Sequence, residues 1–210
     1  MKIGLITYPM ANVKSVSNAV EYFGCQIVSI SNSSEWDSYD GLVIPGVGAF
    51  GPAVNYLKRE GLFEILRKLL QKDEIPVLGI CLGMQLLADS SFENGKNEGL
   101  SIISGQVKKI SVGSNLCLPH IGWNSVYEQD DSVLFEGLRN PSNFYFSHTY
   151  NFLCPEIYIT SAVSYGHRIV ASIRKGKIFG VQFHPERSGR NGKQLINNFL
   201  NFVKKDSEKR

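Results

Sequence analysis

Val77-Leu78-Gly79-Ile80-Cys81-Leu82-Gly83-Met84-Gln85-Leu86-Leu87 sets one cysteine between two glycines, with an apolar run before it and a helix-like run after it. Pro76 to Ile80 predicts a buried strand, and the residues after Cys81 predict the start of a helix. In Gly-x-Cys-x-Gly the first glycine allows close approach beneath the turn, and the second keeps the start of the helix clear of side chains. This is the pattern of a nucleophile elbow with cysteine in place of serine. It puts the sulfur at the C-terminal edge of a parallel sheet, where open α/β folds bind ligands. It also puts the sulfur at a helix N-terminus, whose partial positive charge favours thiolate. The competing reading is a buried, inert cysteine that ends a strand, because Cys is among the most often buried residues. The stretch alone leaves both readings open.

Upstream, Lys2 to Thr7 predicts a strand, and Ser15 to Phe23 carries Val16, Ala19, Val20 and Phe23 at helical spacing before Gly24. Cys25 to Ile30 and Gly41 to Ile44 predict further buried strands, with helical turns from Leu57 to Leu70 punctuated by Gly61. Alternating β and α runs with apolar, β-branched strands predict an α/β fold whose mostly parallel central sheet is flanked by helices. After about residue 100, period-2 segments take over at Gln106 to Ile110, Tyr158 to Val163 and Ile169 to Ile173. Lys175-Gly176-Lys177 predicts a tight turn before Ile178 to Phe183, and an amphipathic helix runs from about Gly192 to Val203. The C-terminal half therefore predicts an antiparallel β extension.

The 210 residues suit one domain, with 43% hydrophobic and 20% charged residues. Residues 1–203 are read as that domain, and the charged tail from Lys204 to Arg210 as a solvated, fraying end. A net charge of +3 from 22 basic and 19 acidic residues is too slight and scattered to imply a nucleic acid partner. No apolar run approaches the roughly 20 residues of a membrane span, and no signal-like segment follows Met1. Cys25, Cys81, Cys117 and Cys154 are widely spaced without a C-x-x-C pair, which fits a reduced, cytoplasmic setting and calls for no metal or cofactor.

A thiol nucleophile needs a base, and the base needs a group to orient it. His167 lies in a polar turn, while His120 and His148 lie among aromatic residues, where hydrogen-bonded structural roles are expected. His184 differs: Phe183-His184-Pro185-Glu186 ends an apolar strand with a carboxylate two residues on, and Pro185 fixes φ between them. A Cys81–His184–Glu186 triad follows. Pro45-Gly46-Val47-Gly48 follows the strand that ends at Ile44 and so reaches the same sheet edge. An N–H there and the amide of Leu82 would form an oxyanion hole.

These motifs resemble the class I, triad-type glutamine amidotransferases and, within them, the glutaminase subunits of imidazole glycerol phosphate synthase. The resemblance runs in order through Pro45 to Gly51, Gly79 to Leu87, Leu118-Pro119-His120-Ile121-Gly122-Trp123-Asn124, Tyr145-Phe146-Ser147-His148-Thr149-Tyr150 and Phe183 to Ser188. It implies Cys81 as nucleophile, His184 as base and then acid, and Glu186 as orienter. Gly48 and Gln85, with the backbone around Thr149 and Tyr150, would hold glutamine. The implied partner is a (β/α)₈-barrel cyclase subunit, and Asn12, His120, Trp123, Tyr145 and Arg187 match positions near that interface. A glycine loop misaligned until the partner docks would act as a gate.

The chain also departs from the family pattern. Thr7-Tyr8-Pro9-Met10-Ala11-Asn12 stands where many members have Asp-Tyr-Gly-Met-Gly-Asn, and Arg187 stands where lysine is usual. Pro9 and Ala11 stiffen that loop. Such changes suit a paralogue that supplies ammonia to a synthase acting on surface sugars. A stand-alone cysteine hydrolase, such as a γ-glutamyl hydrolase, is the further alternative.

Overall fold

A computed structural model describes residues 1–9, 11–30, 36–114, 116–129 and 133–209. Met10 of the opening loop and Arg210 of the tail lie outside the described residues. In chain order the elements are β1 (Lys2–Ile6), α1 (Val13–Glu21), β2 (Gln26–Ile30), β3 (Gly41–Ile44), α2 (Phe50–Arg59), α3 (Leu62–Lys72), β4 (Val77–Ile80) and α4 (Leu82–Gln85). Then come β5 (Ser90–Ser91), β6 (Asn97–Glu98), β7 (Gln106–Lys109), β8 (His120–Glu128), β9 (Ser142–His148), β10 (Tyr150–Leu153), β11 (Ile159–Tyr165), β12 (His167–Lys175), β13 (Ile178–Val181) and α5 (Gly189–Ser207).

Nine strands form one sheet in the order β2-β1-β3-β4-β13-β12-β11-β8-β9. The first five are mutually parallel, and from β12 onward each strand runs antiparallel to its neighbour. Successive residues of a strand face opposite sides, so the buried runs divide between two cores. Ile3, Leu5, Val43, Leu78 and Ile80 face the cluster that holds Val16, Val20, Leu195 and Phe199 of α1 and α5. Ile6, Leu42, Ile44 and Val77 face the cluster with Val54, Leu57, Leu62 and Leu66 of α2 and α3. The expected parallel sheet with an antiparallel extension is therefore present.

Several details differ from the sequence reading. Helix α2 begins at Phe50, well before Leu57, because Pro52 falls in the first turn, where its missing N–H costs nothing. Gly61 separates α2 from α3 in the left-handed region, at φ +71°. Strand β7 belongs to a second, four-stranded sheet, β10-β7-β5-β6, whose Val107 and Phe152 are buried against the α2–α3 side. Period-2 alternation marks a strand without saying which sheet it joins. The tail does not fray at Lys204: α5 continues to Ser207, and Asp206 pairs with Lys177 at 2.7 Å.

Candidate active site

Cys81 stands between β4 and α4 at φ +52°, ψ −105°, a conformation that costs a non-glycine residue ~1–3 kcal/mol. Its N–H donates to the Val181 carbonyl of β13 at 2.7 Å, which ties the elbow to the neighbouring strand. Both glycines of the motif are required by space. A Cβ on Gly83 would lie 1.8 Å from the Ile44 carbonyl oxygen, and one on Gly79 would lie 2.8 Å from the Gly83 backbone. The end of β3 thus presses on the elbow. A Cβ on Gly46 would lie 2.5 Å from Leu82 Cβ, so the Pro45–Gly48 loop packs directly over the start of α4.

The helix after the elbow is shorter than the sequence implied. The carbonyls of Leu86, Leu87 and Ala88 accept from the amides of Leu100, Ile102 and Ser101 at 2.8–3.0 Å, which ends α4 after a single turn. So short a helix supplies little of the macrodipole expected to favour thiolate, and side chains must do that work.

His184 meets Cys81 from the end of β13, and its Nδ1 lies 2.9 Å from Glu186 Oε1 in an almost wholly buried pair. Burial opposes the imidazolium. The hydrogen-bonded Cys81 sulfur and, after it, Glu186 outweigh that and lift His184 to about 10. His184 therefore holds its proton beside the Cys81 sulfur, where a leaving group can take it. The His184 N–H also donates to the Tyr145 carbonyl of β9 at 2.8 Å, so the antiparallel extension helps to place the imidazole.

A pocket of about 270 Å³ opens at Cys81, lined by Val47, Gly48, Leu82, Gln85, Glu93, Pro119, Ser147, His148, Thr149 and Tyr150. Every residue predicted to hold glutamine or an oxyanion is in that lining. Gly48 has φ +95°, a backbone open to glycine, and Val47 beside it is partly exposed. Gln85 is buried, and its Nε2 donates to the Tyr150 carbonyl at 3.1 Å and to Gln182 Oε1 at 3.0 Å. Both of its N–H groups are thereby used, so it offers a ligand its oxygen. The Tyr150 carbonyl also accepts from His148 Nδ1 at 2.8 Å and has no lone pair left for a ligand.

Of the lining residues that the sequence reading did not place at the site, Glu93 and His148 bring ionisable groups to it. Glu93 accepts from the Phe50 N–H at 2.7 Å, capping α2 where Ala49 has no capping side chain, and brings a carboxylate to the pocket. His148 lines the pocket and lies within 3.0 Å of His120 Nδ1. Because the Tyr150 carbonyl can only accept, His148 carries its proton on Nδ1, and His120 must donate from Nδ1 to His148 Nε2. Asn124 Nδ2 then donates to His120 Nε2 at 3.3 Å. Burial keeps both rings neutral, with each value pushed down to about 4.

The residues matched to an interface fall into two groups. Trp123, 58% exposed, meets Tyr145 edge to face at a ring separation of 6.2 Å, and the Arg187 guanidinium lies over the Tyr145 ring at 4.4 Å. Ile121, 60% exposed and two residues before Trp123 on β8, shares that face and was not anticipated. His120 does not belong to this surface, and Asn12 is half-buried at the start of α1. His120 is only 2% exposed and stacks on Tyr165 and Phe146, while Asn12 caps α1 by accepting from the Ser15 N–H at 3.4 Å.

A family model described as glutamine amidotransferase class-I matches residues 5–202. The chain is 42% identical over 205 residues to imidazole glycerol phosphate synthase subunit HisH 2 of Vibrio vulnificus, covering 97% of this chain and 96% of that one. It is 40% identical over 197 residues to subunit HisH 1 of Campylobacter jejuni, covering 94% and 98%. It is 39% identical over 201 residues to the chloroplastic imidazole glycerol phosphate synthase hisHF of Arabidopsis thaliana, covering 94% of this chain and 34% of that longer one. Among solved structures, a glutamine amidotransferase superposes with a TM-score of 0.75 at 17% identity, covering 96% and 98% of the two chains, a likeness of fold. Matched through nearly its whole length by the family model and by relatives 40–42% identical, the chain belongs to the class I glutamine amidotransferases.

Proposed function

We propose that this chain is the glutaminase subunit of an imidazole glycerol phosphate synthase, hydrolysing glutamine at Cys81 and passing the ammonia to a (β/α)₈-barrel synthase subunit. The observation that carries the reading is Cys81 opening on a pocket, with the His184–Glu186 pair hydrogen-bonded to it and the Ile121–Trp123–Tyr145 face exposed on β8 and β9. The names of the Vibrio, Campylobacter and Arabidopsis relatives support the assignment to that synthase.

The chemistry follows from the groups present. The Cys81 thiolate attacks the side-chain amide carbon of glutamine. N–H groups of the Gly48 loop and of Leu82 stabilise the oxyanion. His184 gives its proton to the amide nitrogen, the C–N bond breaks, and ammonia leaves a glutamyl thioester on the sulfur. His184 then takes a proton from water, whose oxygen attacks the thioester carbon; the C–S bond breaks and glutamate is released. Glu93 and the Gln85 oxygen offer acceptors to the substrate's α-ammonium. The Trp123, Tyr145 and Arg187 cluster is the docking face for the synthase.

The test is glutamate release by the chain alone and with the imidazole glycerol phosphate synthase barrel subunit and its substrate. Low activity alone, strong stimulation by the partner and loss in Cys81→Ala are expected; glutamine hydrolysis that survives Cys81→Ala would overturn the reading. One observation favours a second acceptor. The Pro9-containing turn is closed by the Ala11 N–H on the Tyr8 carbonyl at 2.9 Å, a stiffer loop than glycines would make. A synthase that acts on surface sugars would be identified by its stimulating this chain where the histidine-pathway barrel does not.

A further inference from the structure

Gln182 follows β13 two residues before His184 and is completely buried. It does not line the glutamine pocket. Its backbone N–H donates to the Ala171 carbonyl at 2.8 Å, while the preceding Val181 carbonyl holds the Cys81 N–H. The main chain at Gln182 is thus clamped beside the elbow. Its side chain bridges two groups: Oε1 lies 3.0 Å from Gln85 Nε2, and Nε2 lies 3.5 Å from Cys81 Sγ.

The orientation of both amides follows from one carbonyl. Tyr150 O can only accept, so Gln85 turns its nitrogen toward it. The second hydrogen on that nitrogen points at Gln182, which must answer with its oxygen. Gln182 is left presenting its NH₂ group to the sulfur.

We propose that Gln182 is a positioning residue for glutamine hydrolysis, whose amide N–H holds Cys81 as thiolate while its oxygen fixes the pocket wall at Gln85. The inference rests on the reading of Cys81 as the nucleophile. A thiolate at this buried sulfur needs hydrogen-bond donors, and the single turn of α4 supplies little. The other titratable groups that face the sulfur or its pocket are already committed. The Tyr8 hydroxyl, whose titration burial and Cys81 push upward, donates to the Pro45 carbonyl. His148 donates to Tyr150, and Glu93 caps α2. Among the described residues this leaves His184, backed by Glu186, and Gln182 as side-chain partners of the sulfur.

The test is the pH dependence of Cys81 alkylation by iodoacetamide in the full chain, read beside melting temperature and, in the complex with the synthase, the kcat and KM of glutamine hydrolysis. Gln182→Met removes both amide functions at similar length, and Gln182→Glu keeps an oxygen for Gln85 while replacing the donor to the sulfur. Both should move the alkylation midpoint upward by about one pH unit, equivalent to about tenfold less thiolate on the acid side, with a matching fall in kcat. Gln85→Met, which keeps the Gln182 amide but removes the group that orients it, should raise KM and move the midpoint upward by less than either Gln182 variant does. A folded Gln182 variant with an unchanged midpoint overturns the proposal even if its melting temperature falls, because that is the result of a purely structural role. Should Gln182→Met not fold, Gln182→Leu, which removes the donor and adds no charge beside the sulfur, decides. If glutamine fails to protect Cys81 from alkylation in the unaltered chain, the nucleophile reading itself fails; normal protection with unshifted variants removes only the role of Gln182.

Discussion

Cys81 is held as a strained residue between two glycines that the packing does not allow to be anything else. Gly83 shows this most directly, since a methyl group there would meet the Ile44 carbonyl at 1.8 Å. Gly83→Ala should therefore cost ~2–3 kcal/mol, read as a fall of roughly 5–10 °C in melting temperature. Glu186 acts on a different quantity. It helps to hold the His184 imidazolium, so Glu186→Gln should lower glutamine hydrolysis about 10- to 100-fold and bring the alkaline limb of its pH profile to lower pH. The same shift links to stability. His184 stands at about 10 folded against an ordinary 6.5, so the stabilisation it confers is complete below about 6.5 and disappears as pH rises through about 10. Melting temperature against pH should fall across that window, and less steeply in Glu186→Gln.

Strands β8 and β9 join the exposed face to the pocket. On one side of the ribbon Trp123 packs against Tyr145; between the same strands His120 bonds to His148, which bonds to the Tyr150 carbonyl that anchors Gln85. The two neutral histidines act on stability in the opposite sense to His184. Their values of about 4 lie below the ordinary 6.5, so the unfolded chain takes up protons first, and stability present above about 6.5 is lost as pH falls through about 4. His120→Phe should make that acid limb shallower. At pH 8 it should cost ~1–2 kcal/mol by denaturant unfolding, because His148 Nε2 loses its donor.

At the scale of the whole molecule, the parallel half of the sheet carries Cys81 and the antiparallel half carries the exposed Ile121–Trp123–Tyr145 face, and β13 joins them, with His184 three residues beyond its end. The face that would meet the synthase is thus bonded through Tyr145 to the backbone of His184. Trp123→Ala should weaken binding to the synthase subunit by about 30-fold or more, as expected when a central aromatic anchor is lost, measured by titration calorimetry. Alkylation of Cys81 in the isolated chain should be unaffected, which separates docking from chemistry.

Much of this was legible in the residues themselves. Alternating apolar runs dictate the parallel sheet, because both faces of those strands must be buried. Gly-x-Cys-x-Gly and His-Pro-Glu mark the elbow and the His184–Glu186 pair, because positive φ, close approach and an i, i+2 carboxylate are local requirements. The family resemblance read from these motifs agrees with the family model and the relatives. Other features depend on distant pairings that no local pattern encodes. The bonds from residues 100–102 cut α4 to one turn, Phe50 brings Glu93 to the pocket, and β8–β9 pairing buries His120 while exposing Ile121. Gln182 shows the division most clearly. In the sequence it is one polar residue in an apolar strand; in the tertiary structure the parallel pairing of β13 with β4 sets it against Cys81, and its amide can meet the sulfur.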